Sequence, residues 1–145
     1  MIAILLYGSE SWCLTEVLFH RLRLFHNQCV RAMKRVNRTH SRQHRISDED
    51  LRRQMGVRTI DEYITRRQLS WAGTVARMSF DRLPRKMLSS WVFTPRPPGA
   101  PRFTYARGLH KALAKAQIPR DSWHAQAQDR ASWRLPIGQD STPSV

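Results

Sequence analysis

Apolar residues recur at helical spacing along most of the chain. From Ile60 onward, Ile60, Tyr63, Ile64, Trp71, Val75 and Met78 form one stripe with a period near 3.6, which predicts a helix with that stripe, Trp71 included, turned into the core. Thr59-Ile60-Asp61-Glu62 ahead of it has the form of a capping box, with the Thr59 hydroxyl taking a first-turn amide and Glu62 reaching back. Another face carries Arg66, Ser70, Gly73 and Arg77. Two guanidinium groups beside two small residues make a surface that an anion can approach closely.

A second long helix is predicted from Thr15, its cap, to about Val36, because Leu18, Leu22, Phe25, Cys29, Met33 and Val36 recur three or four apart. Met1 to Tyr7 is apolar but too short for its period to separate a strand from the last turns of a helix, and Gly8-Ser9 ends it. With no capping residue ahead, it reads as the tail of a longer element. Residues 37–46 read as a polar loop. Ser47-Asp48-Glu49-Asp50 opens a short helix that closes near Gly56, and Asp81-Arg82-Leu83-Pro84 starts another to about Trp91. Pro95, Pro97, Pro98 and Pro101 impose an extended connector that presents Arg96 and Arg102. Beyond it, Leu109, Leu113 and Ala116 mark one side of a helix from Thr104 to Gln117, and Asp121 caps a last helix from Ser122 to about Arg134. The expected fold class is all-α, a small assembly of about five or six helices. Its expected organisation is a helical region over 1–92, a Pro/Arg-rich connector over 93–103, a helical pair over 104–135 and a loose tail over 136–145.

Charge sharpens this picture. Lys and Arg number 25 against 11 acids, a formal charge of +14, and all but four of the 25 are arginine. Self-repulsion opposes compaction at that charge, and an anionic partner relieves it. Guanidinium forks bind phosphates bidentately and stack on bases, so the arginine bias points to nucleic acid. The segment between Glu16 and Asp48 holds eight basic residues and no acid. Arg21, Arg31, Lys34, Arg35 and Arg38 stand among them as a candidate phosphate-facing surface. A membrane surface or a calmodulin-type partner uses the same basic amphipathic pattern, and a solvated face also fits it. Cys13 and Cys29 are too few for a disulfide framework, and Met1 to Tyr7 is far shorter than a membrane span, so a soluble intracellular protein, nuclear or cytoplasmic, is expected.

Catalytic and metal chemistry find little support. His40 and His44 stand at i, i+4 with Cys29 upstream, but no Cys-x-x-Cys accompanies them and the surrounding arginines repel cations. Asp48, Glu49 and Asp50 are consecutive, so they cannot converge on one ion from a helix and instead serve its positive end. No Walker loop, dinucleotide fingerprint or nucleophile elbow is present. The expectation is no catalytic residue, no metal and no cofactor.

Four motifs in order carry a resemblance over nearly the whole chain. They are Leu5-Leu6-Tyr7-Gly8-Ser9-Glu10-Ser11-Trp12, the stretch from Arg66 to Met78, Pro98-Gly99-Ala100-Pro101-Arg102, and Ala127-Gln128-Asp129-Arg130-Ala131-Ser132-Trp133-Arg134. Together they resemble the C-terminal region of LINE-type, non-LTR retrotransposon reverse transcriptases. The resemblance implies the helical thumb and its C-terminal extension, which hold template and primer, without the catalytic palm and its paired aspartates. It also implies that Met1 to Tyr7 ends a thumb helix. The chain departs from that pattern at Thr74, where the family commonly has histidine, and at Ala100, where it commonly has arginine.

The candidate contacts to nucleic acid are therefore Arg21, Arg31, Lys34, Arg35 and Arg38 in the first basic segment, Arg66, Arg67 and Arg77 in the central helix, and Arg96, Arg102 and Tyr105 around the connector. The expected partners are an RNA/DNA duplex of the template–primer type and a polymerase palm on a separate chain. Two other readings stand beside this one: a decayed transposon fragment with no function of its own, and an adaptor that uses the proline strap to hold another protein.

Overall fold

The computed structural model describes residues 2–93, 99 and 104–138. Among them are nine α-helices and no strand: α1 Ile2–Leu5, α2 Glu16–Lys34, α3 Arg38–Gln43, α4 Asp48–Gln54, α5 Ile60–Ala76, α6 Leu83–Phe93, α7 Tyr105–Lys115, α8 Trp123–Gln126 and α9 Arg130–Gly138. The all-α expectation holds. The chain divides into two compact units, one of residues 14–64 and the other of residues 1–13 with 65–145. Helix α5 gives its first turn to the former and the rest to the latter.

In the 14–64 unit, α2 begins as its sequence dictates, with the Thr15 hydroxyl accepting from the Leu18 amide at 3.4 Å. It packs against α4, and Val30, Leu51, Ile60 and Ile64 are buried. Polar contacts tie the same helices together. Arg23 grips Asp61 with a two-pronged contact, Nε at 2.8 Å and a terminal nitrogen at 2.6 Å. Arg31 pairs with Asp48, which also accepts from the Asn27 amide at 3.0 Å, and Arg52 donates to the Asn27 oxygen at 2.7 Å. The capping box of α5 forms in both directions, Thr59 N to Glu62 Oε2 at 3.1 Å and Glu62 N to Thr59 Oγ1 at 3.2 Å.

Two expectations for this unit change. Residues 38–43 are helical, not loop, because Asn37 accepts from the His40 amide at 2.6 Å and so caps a short helix. In α2, the buried positions His26 and Val30 lie beside the apolar stripe and not on it, leaving Leu18 42% and Phe25 46% exposed.

In the other unit, one core gathers Leu69, Ala72 and Ala76 of α5, Leu109, Ala112 and Leu113 of α7, and Ile118, Trp123, Ala127 and Trp133. The C-terminal segment expected as one helix is broken in two. Asp129 opens the second piece by accepting from the Ala131 amide at 3.0 Å, the Ser132 amide at 3.2 Å and the Ser132 hydroxyl. That break lets Trp123 and Trp133 both enter the core, with ring centroids 6.1 Å apart. Trp71, expected in the core, is instead 37% exposed, and Leu69, Ala72, Val75 and Ala76 are the buried apolar side chains of this part of α5.

Candidate nucleic-acid interface

The arginine face of α5 is the wall of a hollow. Arg66, Arg67, Ser70 and Thr74 of α5 and Arg77 just past its end line it, with Arg130, Trp133 and Arg134 of α9, around a volume of about 480 Å³. Five guanidinium groups face this space and no carboxylate does. The spacing explains the convergence. Positions 66, 70, 74 and 77 fall on one side of a helix, as do 130 and 134 on theirs.

Three contacts hold α9 and its preceding turn to α5. The Trp133 indole donates from Nε1 to the Leu69 carbonyl at 2.9 Å, Arg77 donates to the Ala127 carbonyl at 2.6 Å, and Gln128 donates to the Ala76 carbonyl at 3.0 Å. Gly73 makes the approach feasible, since a Cβ there would overlap the Trp133 ring. Its small size serves the indole and not an incoming anion, which corrects the expectation drawn from the sequence.

The five arginines divide by what they already hold. Arg77 is tied to Ala127, while Arg67 donates to the Leu6 carbonyl at 3.1 Å and lies 3.7 Å from Glu10. Arg66, Arg130 and Arg134 have neither a hydrogen bond nor an ion pair among the described residues. Their positive charge has no counter-charge among the described residues, whereas Arg67 and Arg77 shape the wall and add to its field. The Ser70 and Thr74 hydroxyls add polar edge, although Thr74 already donates to the Ser70 carbonyl at 3.0 Å. Ser132 and two backbone amides keep the Asp129 carboxyl below its ordinary value, so this acid at the start of α9 remains an ionised cap.

The other candidates fall in different places. Arg21, Lys34, Arg35 and Arg38 are exposed in the 14–64 unit, with Arg35 in the left-handed region, φ 57°, as the C-cap of α2. Arg31 is committed to Asp48 with only 12% of its side chain exposed. Tyr105 packs against the α7 core, where burial first, and then the nearby Cys13 and Glu10, push its phenol up to about 12. Arg96 and Arg102, with the proline strap, lie outside the described residues. Arg130 and Arg134 were not among the sequence candidates, although their i, i+4 spacing behind the Asp129 cap is a signal that the sequence contains.

Among the described residues there is no grouping of three or more His, Cys, Asp or Glu side chains able to hold a metal ion. No helix among them is long and apolar enough to cross a membrane.

The chain is similar to a transposon-derived protein. That protein is an uncharacterized one from Caenorhabditis elegans, 29% identical over 149 residues that cover 97% of this chain and 52% of the relative. The chain thus spans about half the length of the curated relative it matches. No family model and no solved structure matches it. The similarity supports an origin in a transposable element.

Proposed function

We propose that this chain is a non-catalytic nucleic-acid-binding fragment of a LINE-type retrotransposon reverse transcriptase, and that it contacts phosphates through the hollow between α5 and α9. The observation that carries the reading is the hollow's electrostatics: five guanidinium groups, no carboxylate in its lining, and three of the five without a partner among the described residues. Its walls are two of the motifs on which the family resemblance rests, Arg66 to Met78 and Ala127 to Arg134. In a polymerase of that family, the paired aspartates of the palm perform nucleotide transfer, and these helices would supply grip and not chemistry. A wall of arginines meets the phosphate backbone, so the expected binding is strong in its salt dependence and weak in its sequence preference. Exposed Lys34 and Arg38 add long-range attraction.

A second reading has its own support. Ile4 at 83%, Tyr7 at 85%, Phe80 at 69% and Leu83 at 68% exposure are large apolar groups left in water, as in a fragment that has lost its packing partner. A labelled RNA/DNA hybrid, single strands of equal length and inorganic polyphosphate, each titrated by anisotropy, separate the two readings. Preference for the hybrid supports a retained thumb-like grip, whereas equal weak binding to every polyanion supports the decayed fragment.

A further inference from the structure

Helix α2 carries an apolar seam that the fold covers only in part, with Leu22 and Cys29 half-buried and Leu18, Phe25 and Ala32 exposed. Leu18, Leu22, Phe25, Cys29 and Ala32 follow one another at intervals of four, three, four and three, the 3.5-residue period of a helix made to pack along another helix. The seam extends through most of the nineteen-residue helix, itself about 28 Å long at 1.5 Å per residue. Leu18 is 42%, Phe25 46% and Met33 53% exposed, while Leu24 at 48% and Val17 at 64% lie around the helix beyond Arg21. The face that α2 does bury is a neighbouring one, through His26 and Val30. Three large exposed apolar side chains along one face of one helix, Leu18, Phe25 and Met33, exceed the scatter of single exposed hydrophobics on an ordinary surface.

Charge decides what covers it. Arg21 immediately precedes the seam residue Leu22, and Arg35 caps the helix at the same edge. After Glu16, α2 has no acid. In a second copy packed antiparallel, Arg21 would face Arg35 at like charge, and two chains of +14 would repel at longer range. A nucleic-acid backbone would satisfy the arginines but leave the leucines and phenylalanine in water. The matching surface is apolar along its middle and acidic along its edges.

We propose that α2 is a docking site for an acidic amphipathic helix of another protein, one whose apolar residues repeat every 3.5 positions and whose flanks bear Glu or Asp. This site is independent of the phosphate-binding hollow, since it uses another face in another unit. The partner's ridge fills the seam between Leu18 and Ala32, and its carboxylates meet Arg21 and Arg35.

The test uses the full chain and synthetic 21-residue peptides with leucine at the two seam positions of each heptad. One has glutamate at the flanks, a second has lysine there, and a third has the composition of the first with the leucines scrambled. The Glu-flanked peptide should bind at least tenfold more tightly than either control. Phe25→Ser, checked for native helicity, should lose at least tenfold for that peptide. Arg21→Glu should shift preference toward the Lys-flanked peptide, a gain that misfolding cannot produce. Equal binding of the scrambled peptide, or no effect of Phe25→Ser, overturns the proposal. So does a Phe25-dependent dimer in sedimentation, or Phe25-dependent capture by anionic vesicles with no peptide binding.

Discussion

Trp133 fills the space over α5 that any side chain at Gly73 would need, and its indole donates to the carbonyl of Leu69, one turn earlier, at 2.9 Å. The close approach of α9 to α5 therefore depends on a missing Cβ. Gly73→Ala should force the ring outward, break its hydrogen bond and cost about 2 kcal/mol through overpacking. A lowered denaturant midpoint, with tryptophan emission shifted to the red in the native state, is the expected result. The helix-propensity gain of alanine over glycine, about 1 kcal/mol, works in the opposite direction, so an unchanged or raised midpoint would show that the indole can move freely.

Arginines that line one hollow should separate into two classes. Arg77 donates to the Ala127 carbonyl from a half-buried position, so Arg77→Gln should lower stability by about 1 to 2 kcal/mol. Arg130 and Arg134 have no partner among the described residues, and their change to Gln should shift stability by less than about 0.5 kcal/mol. Urea denaturation of the three variants reads this directly. Equal losses in all three would remove the distinction.

His26 is buried with its Nε2 lacking a hydrogen-bond partner among the described residues, and its imidazole is held below the ordinary value of 6.5, first by burial and then by the nearby Arg52. The unfolded chain therefore binds the proton more readily than the folded one. This contribution to stability is fully present above about 6.5 and is lost as pH falls through the depressed folded value. His26→Leu should flatten the acid side of the stability profile between pH 7 and 5 for residues 14–64, followed by hydrogen exchange. A slope unchanged by the substitution would assign the acid sensitivity to other groups.

Tyr105 should ionise late. Burial raises its phenol from 10.0 to about 12, so its stabilising share is complete below 10 and is lost as pH rises through about 12. Ultraviolet titration of the native chain should show a late tyrosine phase near 12, and Tyr105→Phe should abolish that phase. If all three tyrosines ionise together, Tyr105 is open to solvent.

Local signals were legible where one residue settles the outcome. Thr15, Ser47 and Thr59 each cap the helix that the sequence assigns to them, because a cap depends on a hydroxyl and its next few amides; Thr104, expected inside its helix, caps it, and Asp121, expected as a cap, gives way to Ser122, which makes no side-chain cap bond. Burial was less legible. In α2, Leu18 and Phe25 carry the apolar period, yet Arg23 to Asp61 and Arg31 to Asp48 fix the helix with a different face inward. These acids also show why the run of eight basic residues has counter-charges: they are distant in sequence. Trp71 fits the apolar stripe of α5 by spacing, but Trp133, sixty-two residues later, lies over Gly73, and the core closes on Leu69, Ala72 and Ala76 instead. The arginine face of α5 was visible from Arg66 and Arg77, whereas its completion by Arg130 and Arg134 required the helix break at Asp129.

The salt dependence of affinity for a labelled RNA/DNA hybrid, compared between the native chain and the Arg66→Gln, Arg130→Gln, Arg134→Gln triple variant, separates binding in the hollow from diffuse attraction. If the hollow holds phosphates, the variant's slope of log affinity against log salt should fall by about 2 to 3, roughly one unit per lost contact. Affinity should fall with it while helicity and denaturant midpoint remain native. A triple variant with the native slope would mean that the hollow does not bind the backbone, and that the +14 charge attracts nucleic acid only diffusely.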